Sequence, residues 1–220
     1  MKKIYLLGIV LLFSCGAEEF EPDNPIDPDN PDYIPPIVSI VSGFPDGQVI
    51  TSSSITVSYS GNEPSMLFRT KLDTNDWSGW ITAESFTLDH LDEDEHVFYL
   101  QGKYTTGDTS EVIMVPFTVD AVEGPSLLFY PRRRTLNTGE SVTFHILAEE
   151  VFELAGTGFA LDYNPSKIRI DDVRQGDVFA GTGTPIFFSE IDQVTGKITI
   201  STAIWDGSGT TFTGTGVIIE

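Results

Sequence analysis

Polar and apolar residues alternate one by one over several short stretches of this chain. Ser54-Ile55-Thr56-Val57-Ser58-Tyr59 is one, Ser141 to Ala148 a second and Lys197 to Ile204 a third. Period two sends successive side chains to opposite faces, so each stretch predicts a half-buried β-strand. Met66 to Leu72, His96 to Gln101, Val112 to Val119 and Phe187 to Ile191 are further strand candidates between Gly-, Asn- and Asp-rich breaks. Thr195-Gly196 predicts a turn joining the last of these to Lys197–Ile204. No stretch carries the three-to-four spacing of an amphipathic helix over a useful length. Short strands at this spacing predict an all-β chain of two sandwiches, one over residues 37–122 and one over 124–220.

The first 36 residues follow other rules. Lys2 and Lys3 precede an apolar run from Ile4 to Phe13, too short to cross a bilayer as a helix, which takes about 20 residues. This predicts a secretory signal over residues 1–14. Residues 15–36 lack apolar periodicity; from Gly16 on they hold seven acids, six prolines and no base. Pro22, Pro25, Pro28 and Pro31 recur every third residue, the period of a polyproline II helix. The expectation is a Pro/Asp-rich linker disordered in the sense of having no packed fold. Its prolines and like charges would stretch it into a semi-rigid stalk with a reach of about 60 Å. Asp27, Asp29 and Asp32 lack the glycine-centred loop and closing glutamate of a calcium site.

Composition narrows the function. The chain has 12 bases against 33 acids, a net charge of −21 over 220 residues. Without Lys2 and Lys3 the processed chain keeps ten bases, a charge near −23. Such a surface repels nucleic acid and anionic headgroups. Cys15 is the single cysteine, which excludes an internal disulfide. An unpaired thiol is out of place in an oxidising compartment unless its sulfur is modified.

Three resemblances add to this reading. Leu12-Phe13-Ser14-Cys15 resembles the lipobox of bacterial lipoproteins, with Phe13 bulkier than usual at its position. That implies cleavage before Cys15, acylation of the cysteine and tethering by two or three chains. Gly16 after the cysteine, followed by Glu18, Glu19 and Glu21, resembles the export tags of surface lipoproteins. The implied location is the outer face of an outer membrane. Phe68 to Asp73, Trp77-Ser78-Gly79-Trp80, Phe86 to Leu88, Leu91 to Phe98 and Phe117 to Asp120 are similar to the Ig-like or fibronectin-III-like domains of bacterial surface proteins. The implied role is a spacer without chemistry of its own.

The third resemblance lies in Asn137 to Thr143, then Leu154 to Pro165, then Val173 to Asp177 and Gly214 to Val217. In this order they resemble a cohesin domain, a nine-stranded jelly-roll module that binds dockerins. The stretch Gly156-x-x-Phe159-x-Leu161-x-Tyr163-x-Pro165 is the most specific part. Glycine admits close backbone packing, alternate residues fill a core and proline ends the strand. Family members continue for some tens of residues past the Gly-x-Gly strand, whereas Glu220 falls within an apolar run. The resemblance therefore implies an incomplete module, and no dockerin-contact residue is carried over.

Candidate chemistry is sparse. Trp77, Trp80 and Trp205 are candidate sugar-stacking aromatics, because ring faces bind the apolar faces of sugars. The competing expectation puts one of Trp77 and Trp80 in the core and uses the other as a hairpin cover. Asp92-Glu93-Asp94-Glu95 reads as a solvated turn, and Arg132-Arg133-Arg134 as exposed charge at a strand edge. His90, His96 and His145 stand in no metal or triad spacing, and no nucleotide-binding glycine pattern occurs. Neither catalysis, a metal nor a cofactor is expected. The leading expectation is a surface-anchored display protein whose cohesin-like end grips a dockerin-bearing partner, in a setting of extracellular polysaccharide degradation. The alternatives are a carbohydrate-binding surface module and a structural envelope or adhesion protein.

Overall fold

A computed structural model describes residues 23–180, 184–205 and 209–220. The leader, Cys15 and the first residues after it lie outside these. Among the described residues the regular structure is all β, in two sandwiches.

The first unit begins with β1 (Val38–Ser42), β2 (Val49–Ile50), β3 (Ile55–Gly61) and β4 (Leu67–Leu72). It continues with β5 (Ser85–Leu88), β6 (Glu95–Lys103) and β7 (Ile113–Val119). One sheet runs β1-β3-β5 and the other β2-β7-β6-β4; β2 lies parallel to β7 and the other pairs are antiparallel. The predicted alternation holds: Val57 and Tyr59 of β3 face Phe68 of β4, Phe98 and Leu100 of β6 and Phe117 of β7 across a common core. Phe44, from the β1–β2 connection, packs its ring 5.7 Å from Phe98 and 5.2 Å from Phe117. Gly102 sets how closely the sheets approach, since a Cβ there would collide with Val38 and Met66.

The proline-rich segment corrects the stalk expectation. Asp27 N–H bonds Asn24 O, Asn30 N–H bonds Asp27 O and Tyr33 N–H bonds Asn30 O, at 3.0, 2.9 and 3.0 Å, closing three successive turns. In each, Asn or Asp stands first and proline second. The side-chain oxygen of the first residue accepts the N–H two residues on: Asn24 from Ile26, Asp27 from Asp29 and Asn30 from Asp32. Proline presets φ for the second position and the short polar side chain caps the turn, so the period of three is that of a turn ribbon over residues 24–33. The ribbon is also docked. Ile26 and Tyr33 pack on the first core, and the Tyr104 hydroxyl donates to Ile34 O at 2.9 Å and accepts from Asn62 Nδ2 at 2.7 Å. Tyr104→Phe removes a buried hydroxyl with two partners. We expect a loss of about 1–2 kcal/mol in denaturant titration and faster proteolysis within residues 23–36.

The second unit comprises β8 (Ser126–Tyr130), β9 (His145–Leu154) and β10 (Gly156–Asp162). These are followed by β11 (Pro185–Asp192), β12 (Lys197–Ile204) and β13 (Phe212–Ile219). The sheets run β13-β9-β8 and β10-β12-β11, all antiparallel. Residues 174–178 run beside β13, with Gly176 N–H on Ile218 O at 2.7 Å and Arg174 and Glu220 exchanging backbone bonds at 2.9 Å. The core joins Ile146, Ala148 and Val151 to Ile198, Ile200 and Ile218, plugged by Phe179. Among the described residues six strands form here, where the family resemblance implies nine. The expected strand from Ser141 is shorter too: β9 starts at His145, and Val142 and Phe144 are exposed rather than core. The Thr195-Gly196 turn forms as expected. Gly196 has φ +72°, and a Cβ on it would strike Tyr163 O and Pro165.

Candidate functional site

Three places concentrate the polar chemistry, and the first is the outer face of β4 and β6. The antiparallel register sets Lys71 opposite Tyr99, Arg69 opposite Gln101 and Leu67 opposite Lys103. The β4–β5 connection folds back along the open side of β4. Phe68 and Ile81 exchange backbone bonds at 2.7 and 2.9 Å, and Ser78 N–H reaches Thr70 O at 2.8 Å. Ser78 Oγ accepts Thr70 N–H at 2.9 Å, locking Trp77-Ser78-Gly79-Trp80 over the cations. The Arg69 guanidinium lies 4.6 Å from the ring centres of both Trp77 and Trp80. Lys103 sits 4.6 Å from Trp80, while Lys71 sits 4.2 Å from Tyr99 and 5.6 Å from Trp77. The order is thus Lys103, Trp80, Arg69, Trp77, Lys71, Tyr99, with cation and ring alternating. Each contact contributes about 0.5–1 kcal/mol at a half-exposed site. Arg69 is fixed further by Gln101 Oε1, at 3.0 Å from Nε and 2.6 Å from Nη2.

This geometry revises what the tryptophans do. Neither Trp77 nor Trp80 enters the core; both are half-buried on the sheet's outer face, with ring faces shared with the chain's own cations. Trp205 is 74% exposed in the second unit, on the residue after β12, so the three candidate aromatics do not form one platform.

The second place is the joint between the units, where the acidic and basic runs meet. Arg132 Nη2 bonds Glu93 Oε1 at 2.5 Å, with the Glu93 side chain buried. Glu93 also accepts Ala121 N–H, and Asp92 Oδ1 accepts Arg132 N–H at 2.6 Å. Tyr130 Oη donates to Asp94 Oδ2 at 3.2 Å, and Arg133 lies 3.5 Å from Asp89. The expected solvated turn and the expected free basic edge are therefore two halves of one contact. Beside them a cleft of about 270 Å³ is lined by Ser53, His90, Leu128, Phe129 and Arg132. Nearby, burial pushes the Glu149 carboxyl up, against a Thr215 hydrogen bond and with the charges of Glu93, Glu150 and Asp120 adding to it. Its Oε2 is buried without a partner. A carboxyl raised on folding stabilises the fold below its ordinary range and loses that contribution as pH climbs through the folded value. Glu149→Gln should therefore raise the melting temperature at pH 7 and leave it nearly unchanged at pH 4.

His96 sits behind the joint. Its ring is buried between Asp73 Oδ2, 2.8 Å from Nδ1, and Asp92 O, 3.1 Å from Nε2. Both ring nitrogens are engaged by acceptors, so neither is left to take a proton from a substrate. Of the other histidines, His90 pairs with Asp89 at the surface and His145 packs on Tyr130.

The third place is the outer face of β10-β12-β11. Cross-strand rows set Gly158, Ser201 and Phe188 side by side, then Ala160, Thr199 and Glu190. Gly158, Ala160, Thr199 and Ser201 are small, and Phe188 of the edge strand β11 stands out at 68% exposure between Ile186 and Glu190. Beneath it Phe159, Leu161 and Tyr163 pack on the second core, as the alternation within the Gly156–Pro165 stretch requires.

No family model matches the chain, and no curated protein matches it either. Among solved structures, the type II cohesin dyad from the adaptor ScaA scaffoldin of Acetivibrio cellulolyticus is 8% identical with a TM-score of 0.37, covering 83% of this chain and 82% of that one. Chitinase ChiA74 from Bacillus thuringiensis is 16% identical with a TM-score of 0.29, covering 86% of this chain and 27% of the chitinase.

Proposed function

We propose that the chain is a non-catalytic display protein of the bacterial surface. A lipid on Cys15 anchors it, the first unit serves as an Ig-like spacer, and the second is a cohesin-like module that attaches a dockerin-bearing protein. The observation that carries the attachment reading is the outer face of β10-β12-β11, where exposed Phe188 stands beside Ser201 and the small residues Gly158, Ala160 and Thr199 continue the face. A large exposed ring next to small side chains supplies an anchor that a protein partner can bury with few long side chains to displace. The seven-strand arrangement of the first unit supports the spacer reading, and the joint through Glu93 and Arg132 supports a fixed presentation of the far module.

Among the described residues β8, β10 and β11 each pair on one side alone, and Leu127 and Phe129 of β8 stand exposed beside Phe144. Free edges of this kind are hazards that proteins cover.

Purified dockerin-bearing proteins of several types provide the test, measured by calorimetry against the purified chain. Binding to one type, lost in Phe188→Ala and Thr199→Arg variants whose melting is unchanged, is the expected result. No binding to any type by a folded protein would refute the attachment reading. The anchor is tested separately: Cys15→Ser should abolish palmitate labelling and detergent-phase partitioning, and persistent labelling would overturn it.

A further inference from the structure

We propose that the cation–aromatic ladder on the first unit binds an anionic polysaccharide, face-on, through Lys103, Arg69 and Lys71. Residues 37–122 contain thirteen acids and three bases, and all three bases lie on this one face. Among the described residues none of the three pairs with a carboxylate, whereas Arg132, Arg133, Arg169, Arg174 and Lys197 elsewhere each do. In so acidic a unit, unpaired cations gathered on one face make a single positive surface in a negative field. Charge complementarity selects an anionic ligand there.

The stacking adds preorganisation. Indole rings between the cations hold the charges apart at fixed positions, so little side-chain freedom is lost when anionic groups arrive. Half-buried Trp77, Trp80 and Tyr99 offer apolar surface between the charges, matching a chain whose anionic groups are spaced by sugar rings. The structure disfavours a polypeptide ligand at this place. Adding a peptide strand needs a free sheet edge, and the edge of β4 is closed by residues 78–81 through the bonds between Phe68 and Ile81 and between Thr70 and Ser78. A ligand must therefore approach from above the face. This extends the attachment reading but does not depend on it, since it concerns the other unit.

Affinity electrophoresis of the full chain in gels holding polygalacturonate, dextran sulfate or neutral dextran tests the proposal. Retardation is expected with one or both anionic polymers and not with dextran; the pair of gels separates carboxylate from sulfate preference. Affinity should fall about twenty- to fortyfold between about 50 and 200 mM salt, as for a site of three cations. Lys71→Gln/Lys103→Gln should weaken binding about tenfold, Lys71→Arg/Lys103→Arg should retain it, and Lys167→Gln should leave it intact. In a Trp205→Phe background, saturating polymer should change the remaining tryptophan fluorescence, a readout independent of the charge variants. Absence of retardation at low salt, equal retardation in neutral dextran, or an unchanged Lys71→Gln/Lys103→Gln variant would each overturn the proposal. So would polyglutamate competing as well as the preferred polysaccharide, which would assign the face to an acidic polypeptide.

Discussion

Replacing Asp73 with alanine should destabilise the first unit by about 2 kcal/mol, because it leaves the buried His96 ring nitrogen and the Val97 N–H each without a partner. Asp73 does three things at once. Its Oδ2 pairs with His96 Nδ1 at 2.8 Å, its Oδ1 accepts Val97 N–H at 2.7 Å, and its backbone adopts a φ of +51°, where a short polar side chain is tolerated better than alanine. Asp73→Asn separates these roles. The amide still accepts Val97 N–H and suits the left-handed backbone, but its NH₂ then faces His96 Nδ1, which must become a neutral acceptor. Burial lowers the His96 pKa, but the hydrogen bonds to Asp73 and to Asp92 O, with the charges of Asp73 and Asp94, outweigh it and raise the value overall. A histidine raised on folding contributes fully below its ordinary value of about 6.5, and that contribution fades as pH climbs through the folded value. Wild-type stability should therefore decline as pH rises above about 6.5, and Asp73→Asn should flatten that decline. Urea titrations at a series of pH values check both statements; an equal slope in the variant would show that His96 does not carry it.

The parts of this molecule that follow from single-strand periodicity were legible in the sequence. Val57 and Tyr59, Phe98 and Leu100, and Ile198 and Ile200 occupy the core faces that alternation assigns them. Thr195-Gly196 turns where glycine permits it. The proline repeat was legible in its period and misread in its geometry. Spacing of three suits both polyproline II and consecutive turns, and what separates them is the residue before each proline. Asn24, Asp27 and Asn30 can each cap a turn with a side-chain oxygen, and all three do.

The ladder was beyond reach for a different reason. Arg69, Lys71 and Lys103 become neighbours only once β4 and β6 have a register, and the indoles join them only because residues 77–81 fold back on β4. His96 likewise showed only as one strand position, while its partners come from the end of β4 and the acidic turn. The same turn and the arginine run stood out as opposite charge blocks, yet nothing local brings residues about forty positions apart together.

That meeting supports the second large effect. Glu93→Ala should cost about 3 kcal/mol and loosen the two units from one another. Its carboxylate is buried and serves both sides of the joint, accepting Ala121 N–H at 2.9 Å and Arg132 Nη2 at 2.5 Å. Removing it strands the Arg132 guanidinium, whose Nε is already buried without a partner, and leaves Ala121 N–H unsatisfied. Removing the arginine as well should recover part of the loss, because an uncharged methionine at 132 needs no partner there. The Glu93→Ala/Arg132→Met double variant should thus be more stable than Glu93→Ala alone, and the cycle measures the coupling between the pair. Small-angle scattering supplies the geometric readout: Glu93→Ala should enlarge the maximum dimension and blur the two-unit profile. A variant with unchanged stability and scattering would show that Asp92, Asp94 and Tyr130 hold the joint without it. The paired charges of this contact then decide whether the second unit is held at a set angle to the first or swings freely from it.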